Sequence, residues 1–222
     1  MKHKIAVIFD MDGVIVDSVG YNWRLNNTIL CNYGIKITDE KLFKYIGRNL
    51  QDQIDAINRD YKVNINYKSF SDSLAELKKQ QKRLPEPMSG AVKLIENINK
   101  IGIDMAIGTS NSRQNVDAVL VKMGLQSIFK VIVSKEDVIN HKPDPEVYVK
   151  CAMLLGYDST NCIVIEDSPS GISAAKNAGV ACIAVKTKYC RLSDLSGADI
   201  IADSLEDQKI IQFVKSFSNQ TK

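Results

Sequence analysis

Ile5-Ala6-Val7-Ile8-Phe9-Asp10-Met11-Asp12-Gly13-Val14 is the stretch on which the fold turns. Five apolar residues run unbroken into two aspartates one residue apart, and a glycine follows. An uninterrupted run of this length, rich in β-branched residues, reads as a strand buried on both faces. The run stops at Asp10, so that carboxylate sits at the strand's carboxyl end, where open α/β sheets bind ligands. Side chains alternate along a strand, which sends Asp10 and Asp12 the same way if extended backbone continues through Met11. Gly13 permits a sharp turn just beyond. The same Asp-x-Asp spacing also occurs in calcium loops and ordinary turns, so the pair alone names no chemistry.

Downstream of Pro85-Glu86-Pro87 the chain alternates between helix and strand patterns. Val92, Ile95, Ile98 and Ile101 form a predicted helix face closed by Gly102. A strand over 103–108 follows, then a helix over 115–123 closed by Gly124 and a strand over 131–133. A helix ends at Leu155 before Gly156, a strand spans 162–165, and a helix over 172–178 closes at Gly179. Strands at 180–185 and 200–201 and a helix around 207–217 complete the pattern. Alternation with short links predicts an α/β fold: a doubly wound parallel-sheet core with right-handed crossovers and helices on both faces.

Between Tyr21 and Leu84 no strand pattern appears. Leu25, Ile29 and Tyr33 recur at helical spacing before Gly34, and Thr38 caps a short helix through Ile46 that Gly47 stops. Leu50, Ile54 and Ile57 mark a third helix. Tyr67, Phe70, Leu74 and Leu77 mark a fourth, with Lys78, Lys79, Lys82 and Arg83 near its end as solvated cations that suit the helix dipole. The predicted division is a core of residues 1–16 and 86–222 interrupted by an all-helical domain over 17–85.

Composition narrows the function classes. Of 222 residues, 45% are hydrophobic and 25% charged, an ordinary globular balance. The net charge of +3 leaves no electrostatic footprint for nucleic acid or an anionic membrane. The first apolar run is too short for a signal peptide and no segment reaches transmembrane length, so a cytoplasmic location is expected. Five cysteines without a Cys-x-x-Cys read as reduced structural thiols, and two histidines leave little for a histidine-based metal site.

Four predicted strand tips carry polar groups: Asp10 and Asp12, Thr109-Ser110-Asn111, Lys142, and Glu166-Asp167. Each has an ordinary reading as a cap, a solvated loop or an acidic turn. In one parallel sheet they converge. Carboxylates held together raise one another's pKa values unless a cation intervenes. An all-oxygen donor set favours magnesium over zinc, and lysine, hydroxyls and backbone N–H groups suit a phosphate dianion. The set describes a phosphoryl-transfer site.

With these motifs in order, the chain resembles the haloacid dehalogenase superfamily, in the branch with a helical cap inserted after the first strand. The resemblance rests on Asp10-Met11-Asp12-Gly13-Val14, Thr109-Ser110-Asn111, Lys142-Pro143-Asp144-Pro145 and the stretch from Val164 to Ile172. It implies that Asp10 is the nucleophile, that Asp12 is the general acid and base, and that Lys142 offsets the charge of the incoming phosphate. It further implies that Thr109, Ser110 and Asn111 bind the phosphoryl group. Mg²⁺ is then held by Asp10, the Asp12 backbone carbonyl, Glu166 and Asp167. The cap selects the substrate, with Arg24 and Arg48 as candidate contacts. The second aspartate favours C–O–P chemistry, since a halide needs no proton on leaving.

The expectation is therefore a magnesium-dependent phosphatase acting on a small phosphate ester, such as a sugar phosphate, through an aspartyl phosphate, in a monomer or weak dimer. A β-phosphoglucomutase-like activity is the alternative, weakened by Asn22 and Leu50 where that pattern leads one to expect histidine and arginine. A non-catalytic binder of phosphorylated metabolites is the alternative of another class.

Overall fold

The computed structural model describes residues 5–42, 44–46, 50–81 and 83–220. Contacts divide the chain into two compact units, residues 1–17 with 86–222, and residues 18–85.

The larger unit is built on six strands, β1 (Ala6–Phe9), β2 (Asp104–Gly108), β3 (Val131–Val133), β4 (Cys162–Glu166), β5 (Ala181–Val185) and β6 (Ile200–Ala202). Their order is β3-β2-β1-β4-β5-β6, and every pairing is parallel. The first strand is thus central, and the winding reverses beside it, between β1 and β4. That reversal opens the crevice in which such sheets bind ligands. Ile5, Val7, Phe9, Met105, Ile107, Ile163, Ile165 and Ile183 pack on one face, under α5 (Ala91–Lys100), α6 (Arg113–Met123) and α9 (Gln208–Gln220). The alternate residues, Ala6, Ile8, Ala106, Cys162, Val164, Cys182 and Ala184, pack on the other under α7 (Glu146–Leu155) and α8 (Pro169–Asn177). Both faces are covered, which is why β1 and β4 read as continuous apolar runs.

Two helices depart from the sequence reading. The buried face of α5 is Ala91, Leu94, Ile95 and Ile98, while Val92 and Ile101 are only half-buried. Helix α8 begins at Pro169 rather than Ile172. Ser168 caps it by accepting from the Gly171 N–H at 3.1 Å, and proline at the first helical position sacrifices no hydrogen bond.

The second unit contains α1 (Ser18–Leu30), extended by a 3₁₀ turn over 31–33 to a left-handed Gly34, then α2 (Asp39–Leu42), α3 (Leu50–Tyr61) and α4 (Tyr67–Gln81). Among its described residues there is no strand. Trp23, Leu25, Ile29, Ile54, Ile57 and Phe70 form its buried interior. Asparagines pin its loops: Asn27 exchanges two hydrogen bonds with the Ile37 backbone at 2.8 and 2.9 Å, and Asn58 does the same with Ile65 at 3.0 and 2.7 Å. The predicted helix stop at Gly47 lies outside the described residues, as does Arg48. Among the described residues no helix is long and apolar enough to cross a membrane.

Candidate active site

Strand β1 ends at Phe9, the Asp10 N–H donates to the Ile165 carbonyl at 3.0 Å, and the backbone bends at Met11. Extended structure therefore does not continue through Met11. Gly13 instead turns the chain with φ at 86°. Asp12 still lies near Asp10, and its charge adds to the factors that raise the Asp10 pKa. Gly13 is required twice over: its φ is in the region that disfavours side chains, and a Cβ there would strike the Asp167 carboxylate.

Lys142 enters from the segment between β3 and α7, and its Lys142–Pro143 peptide is cis. Its side chain is buried. Nζ donates to Asp10 Oδ1 at 2.5 Å, to Glu166 Oε1 at 2.9 Å and to the Gly108 carbonyl at 3.2 Å, 4.7 Å from the centre of the Tyr148 ring. Glu166, at the tip of β4, is fully buried and fully used. Oε1 also accepts from the Tyr148 hydroxyl at 2.7 Å. Oε2 accepts from the backbone N–H groups of Asp167 and Ser168 at 2.8 and 3.0 Å and from the Ser168 hydroxyl at 3.0 Å. A Cβ on Gly171 would occupy the space of this carboxylate.

Electrostatics follow from burial and partners. Burial opposes the charge on Glu166, but Lys142 and the hydrogen bonds to Tyr148 and Ser168 prevail and hold it below the ordinary carboxylate value. Burial likewise opposes the Lys142 charge, yet Asp10 and Glu166 hold the ammonium protonated, above the usual lysine value. Asp10 and Asp167 move the other way. Burial, reinforced by neighbouring carboxylates, raises both against the pull of Lys142.

The tip of β2 supplies the next group. Thr109 is buried, and its hydroxyl oxygen accepts from the Asn111 N–H at 3.0 Å, leaving the hydroxyl proton to donate elsewhere. Asn111 Oδ1 accepts from the Ser112 N–H and from Asn115 Nδ2, both at 2.8 Å. Its Nδ2 thereby faces the Asp12 carboxylate, at 3.2 and 3.3 Å from the two oxygens. Ser110 is exposed beside them.

The donors suit a hard divalent cation. Oxygens of Asp10, Glu166 and Asp167 lie within 4.8 Å of one another, and the Lys142 ammonium bonds two of these carboxylates, Asp10 and Glu166. Burial first, and the neighbouring carboxylates after it, disfavour the charged forms of Asp10 and Asp167, and a bound cation would oppose both effects. All-oxygen ligation of this kind fits Mg²⁺. Because Glu166 already accepts five hydrogen bonds, Asp10 and Asp167 have the freer oxygens.

Asp10, Asp12, Thr109, Ser110, Asn111, Glu166 and Asp167 thus lie at or just beyond the tips of β1, β2 and β4, and Lys142, expected at a strand tip, instead reaches in from the loop between β3 and α7. Arg24 lies exposed on α1, in the other unit. Sequence reasoning missed Tyr148, which braces Glu166 from α7, and Gly171, which makes room for it. The one available signal for Tyr148 was a phenol on the apolar face that includes Val147 and Cys151, where a buried hydroxyl needs a partner.

A parallel α/β domain with a lysine–carboxylate cluster at its switch point places its polar groups where open α/β sheets bind ligands. Residues 7–185 match the haloacid dehalogenase-like hydrolase family, and the chain belongs to it. It is 28% identical over 210 residues to the bifunctional riboflavin kinase/FMN phosphatase of Arabidopsis thaliana, covering 94% of this chain and 55% of that protein. The chain therefore spans about half that relative's length. It is 28% identical over 176 residues to a phosphorylated carbohydrates phosphatase of Thermotoga maritima, covering 79% and 82% of the two chains. Among solved structures, CbbY from Rhodobacter sphaeroides in complex with phosphate is similar at a TM-score of 0.70 and 25% identity, over 94% of this chain and 96% of that one.

Proposed function

We propose that the chain is a magnesium-dependent phosphoric monoester hydrolase acting on a small phosphorylated metabolite of sugar size. The observation that carries this reading is the buried Lys142 bridge to Asp10 and Glu166, with a second aspartate, Asp12, two residues from the first. Asp10 is the nucleophile. One of its oxygens is held by Lys142, and the other forms a bond to phosphorus as the ester P–O bond breaks. Asp12 gives its proton to the departing alkoxide. The ionised Asp12 then takes a proton from water, whose oxygen attacks the aspartyl phosphate, frees Asp10 and releases inorganic phosphate.

Asn111 holds the Asp12 carboxylate in place through Nδ2. The Thr109 hydroxyl and the Ser110 backbone donate to the phosphoryl oxygens, and Lys142 balances their charge. Asp10, Asp167 and the Asp12 carbonyl would hold Mg²⁺ together with Glu166, which in addition fixes Lys142. When bound, the ion supplies the positive charge that lets a carboxylate approach a phosphate dianion. Residues 18–85 are the cap that selects the substrate.

The hydrolase reading is preferred to a mutase. A mutase needs a second anion site with convergent cations, and Lys78 is the one cation among the described residues lining the insert's pocket. The carbohydrate phosphatase relative supports sugar phosphates as the substrate class. The test is Mg²⁺-dependent release of p-nitrophenol from its phosphate ester, with acid quenching to trap a hydroxylamine-sensitive phosphate on Asp10. Full turnover by Asp10→Asn, or in excess EDTA, would end this reading.

A further inference from the structure

We propose that Asn115 is a positioning residue for the proton-transfer step: it locks the Asn111 side-chain amide so that a donor, not an acceptor, faces the Asp12 carboxylate. The proposal rests on the phosphatase reading, in which Asp12 passes a proton to the departing alcohol.

Asn111 Nδ2 lies 3.2 and 3.3 Å from the two Asp12 oxygens. At the other end of the same amide, Oδ1 accepts from the Ser112 N–H and from Asn115 Nδ2, both at 2.8 Å. A primary amide is a donor at one end and an acceptor at the other, with nearly the same shape at both. Half a turn about the last side-chain bond would therefore exchange the two ends at little steric cost. Here it would set the Asn111 NH₂ against two donors and forfeit both bonds. Those two donors leave Nδ2 as the end that meets Asp12.

The backbone around Asn111 is already fixed. Its N–H donates to the Thr109 hydroxyl oxygen at 3.0 Å, and its carbonyl accepts from the Lys135 N–H at 3.0 Å. Ser112 caps α6 by accepting from the Asn115 N–H at 3.3 Å. Amide orientation is the freedom that remains, and Asn115, the third residue of α6, closes it.

Orientation decides where the proton of Asp12 points. When Asp12 is a carboxylic acid, Nδ2 donates to its carbonyl oxygen and leaves the O–H free to face the ester oxygen. As the ester P–O bond breaks, that proton passes to the leaving oxygen, and Nδ2 still donates to the ionised Asp12. An inverted amide would present Oδ1, which accepts the Asp12 O–H and turns the proton away from the leaving group. The loss falls on leaving groups that need a proton. p-Nitrophenolate departs readily as an anion, whereas ethoxide does not.

The experiment measures kcat/KM, which reports the steps through departure of the alcohol, for p-nitrophenyl, phenyl and ethyl phosphate with Mg²⁺. It compares the full-length wild-type protein with Asn115→Asp and Asn115→Ala. Asn115→Asp replaces a donor by an acceptor of the same shape. Its carboxylate can also take the Ser112 N–H, as the acidic third residue of a capping box does. An acid in the first turn suits the helix dipole, so its Tm should match or exceed that of wild type. Asn115→Asp is expected to lower the ratio of kcat/KM for ethyl phosphate to that for p-nitrophenyl phosphate by about tenfold or more. Phenyl phosphate should fall between the two. Asn115→Ala should lower the ratio in the same direction but less, because the Ser112 N–H still holds Oδ1. The added negative charge alone would act on all three esters alike, so an even loss, or an unchanged ratio in both variants, overturns the proposal. Wild-type turnover with such a result leaves the phosphatase reading standing. Absence of wild-type turnover on every ester would overturn that reading and the proposal together.

Discussion

Glu166 shows how much one buried side chain can organise. It receives Lys142, the Tyr148 hydroxyl and three donors at the start of α8, and Gly171 leaves the space it occupies. Gly171 has an ordinary helical backbone, so the cost of Gly171→Ala comes from collision rather than from φ. Overpacking of this kind costs about 1–3 kcal/mol, and displacing Glu166 also frees the ammonium that holds Asp10. Gly171→Ala is therefore expected to lower stability by that amount in urea and to reduce kcat on p-nitrophenyl phosphate. Unchanged values of both would remove Glu166 as the organiser. Tyr148→Phe deletes one bond to the same carboxylate, a charged-acceptor bond worth about 1.5–3 kcal/mol. The fold should survive with a loss of that size, read in the same urea titration. The crowding of Asp10, Glu166 and Asp167 predicts a further effect. Mg²⁺ should raise the Tm of the purified protein and EDTA should reverse it, with Asp167→Asn abolishing the shift. A Tm indifferent to Mg²⁺ would mean these oxygens hold no cation.

At the scale of elements, α7 and α8 cover a sheet face made of small residues, and three thiols are sealed beneath them. Cys151, Cys162 and Cys182 are fully buried. Burial pushes Cys162 and Cys182 up to about 12 and Cys151 higher still. An acid whose folded pKa is raised keeps its proton longer in the folded state than in the unfolded one. Its contribution is intact below the ordinary thiol value near 9 and is lost as pH climbs from there toward the folded value. Each such thiol should steepen the alkaline loss of stability by about 1.4 kcal/mol per pH unit. Urea unfolding between pH 9 and 11 tests this, and Cys182→Ala should show the shallower slope. Equal slopes would mean that the thiols do not titrate on unfolding. The strands of this sheet were legible in the sequence because residues buried on both faces leave long apolar runs. Helix phase was less legible. Val92 and Ile101 look as apolar as Leu94, and only the sheet beneath decides which of them are covered. The start of α8 was hidden because Ser168-Pro169 reads as a continuation of the acidic tip rather than as a cap. Among site residues, the strand-tip groups could be read because parallel topology gathers all tips at one edge. The Asn111–Asp12 bond, between residues 99 apart, and the Tyr148–Glu166 bond could not, since each depends on side-chain direction.

For the whole molecule, the question is how a sheet tolerates an interruption directly after its central strand. The chain leaves the core and re-enters it through two segments that pair with each other. Val16 and Pro87 form an antiparallel bridge, the Asp17 N–H donates to the Glu86 carbonyl at 2.9 Å, and the Met88 N–H donates to the Ile15 carbonyl at 2.9 Å. The two crossing points are thus adjacent, and these three pairings lie within the core. Residues 18–85 form a compact unit with buried residues of their own. Loop-closure entropy grows only slowly with length, so a long insertion here disturbs the core little, and removing it should cost the core little. A chain in which residues 18–85 are replaced by a short Gly-Asn-Gly turn is expected to fold, because Asp17 and Glu86 already lie within hydrogen-bond distance. It should unfold cooperatively in urea and keep the Mg²⁺-dependent rise in Tm, since Asp10, Lys142, Glu166 and Asp167 all belong to the core. It should lose discrimination among sugar phosphates, because the cap proposed to select them is gone. Circular dichroism, urea titration and a phosphate-release assay across several esters measure these three properties. A chain that is unfolded, or that folds and still discriminates among the esters as the full chain does, would show that the insert is not the separable, substrate-selecting unit argued for above.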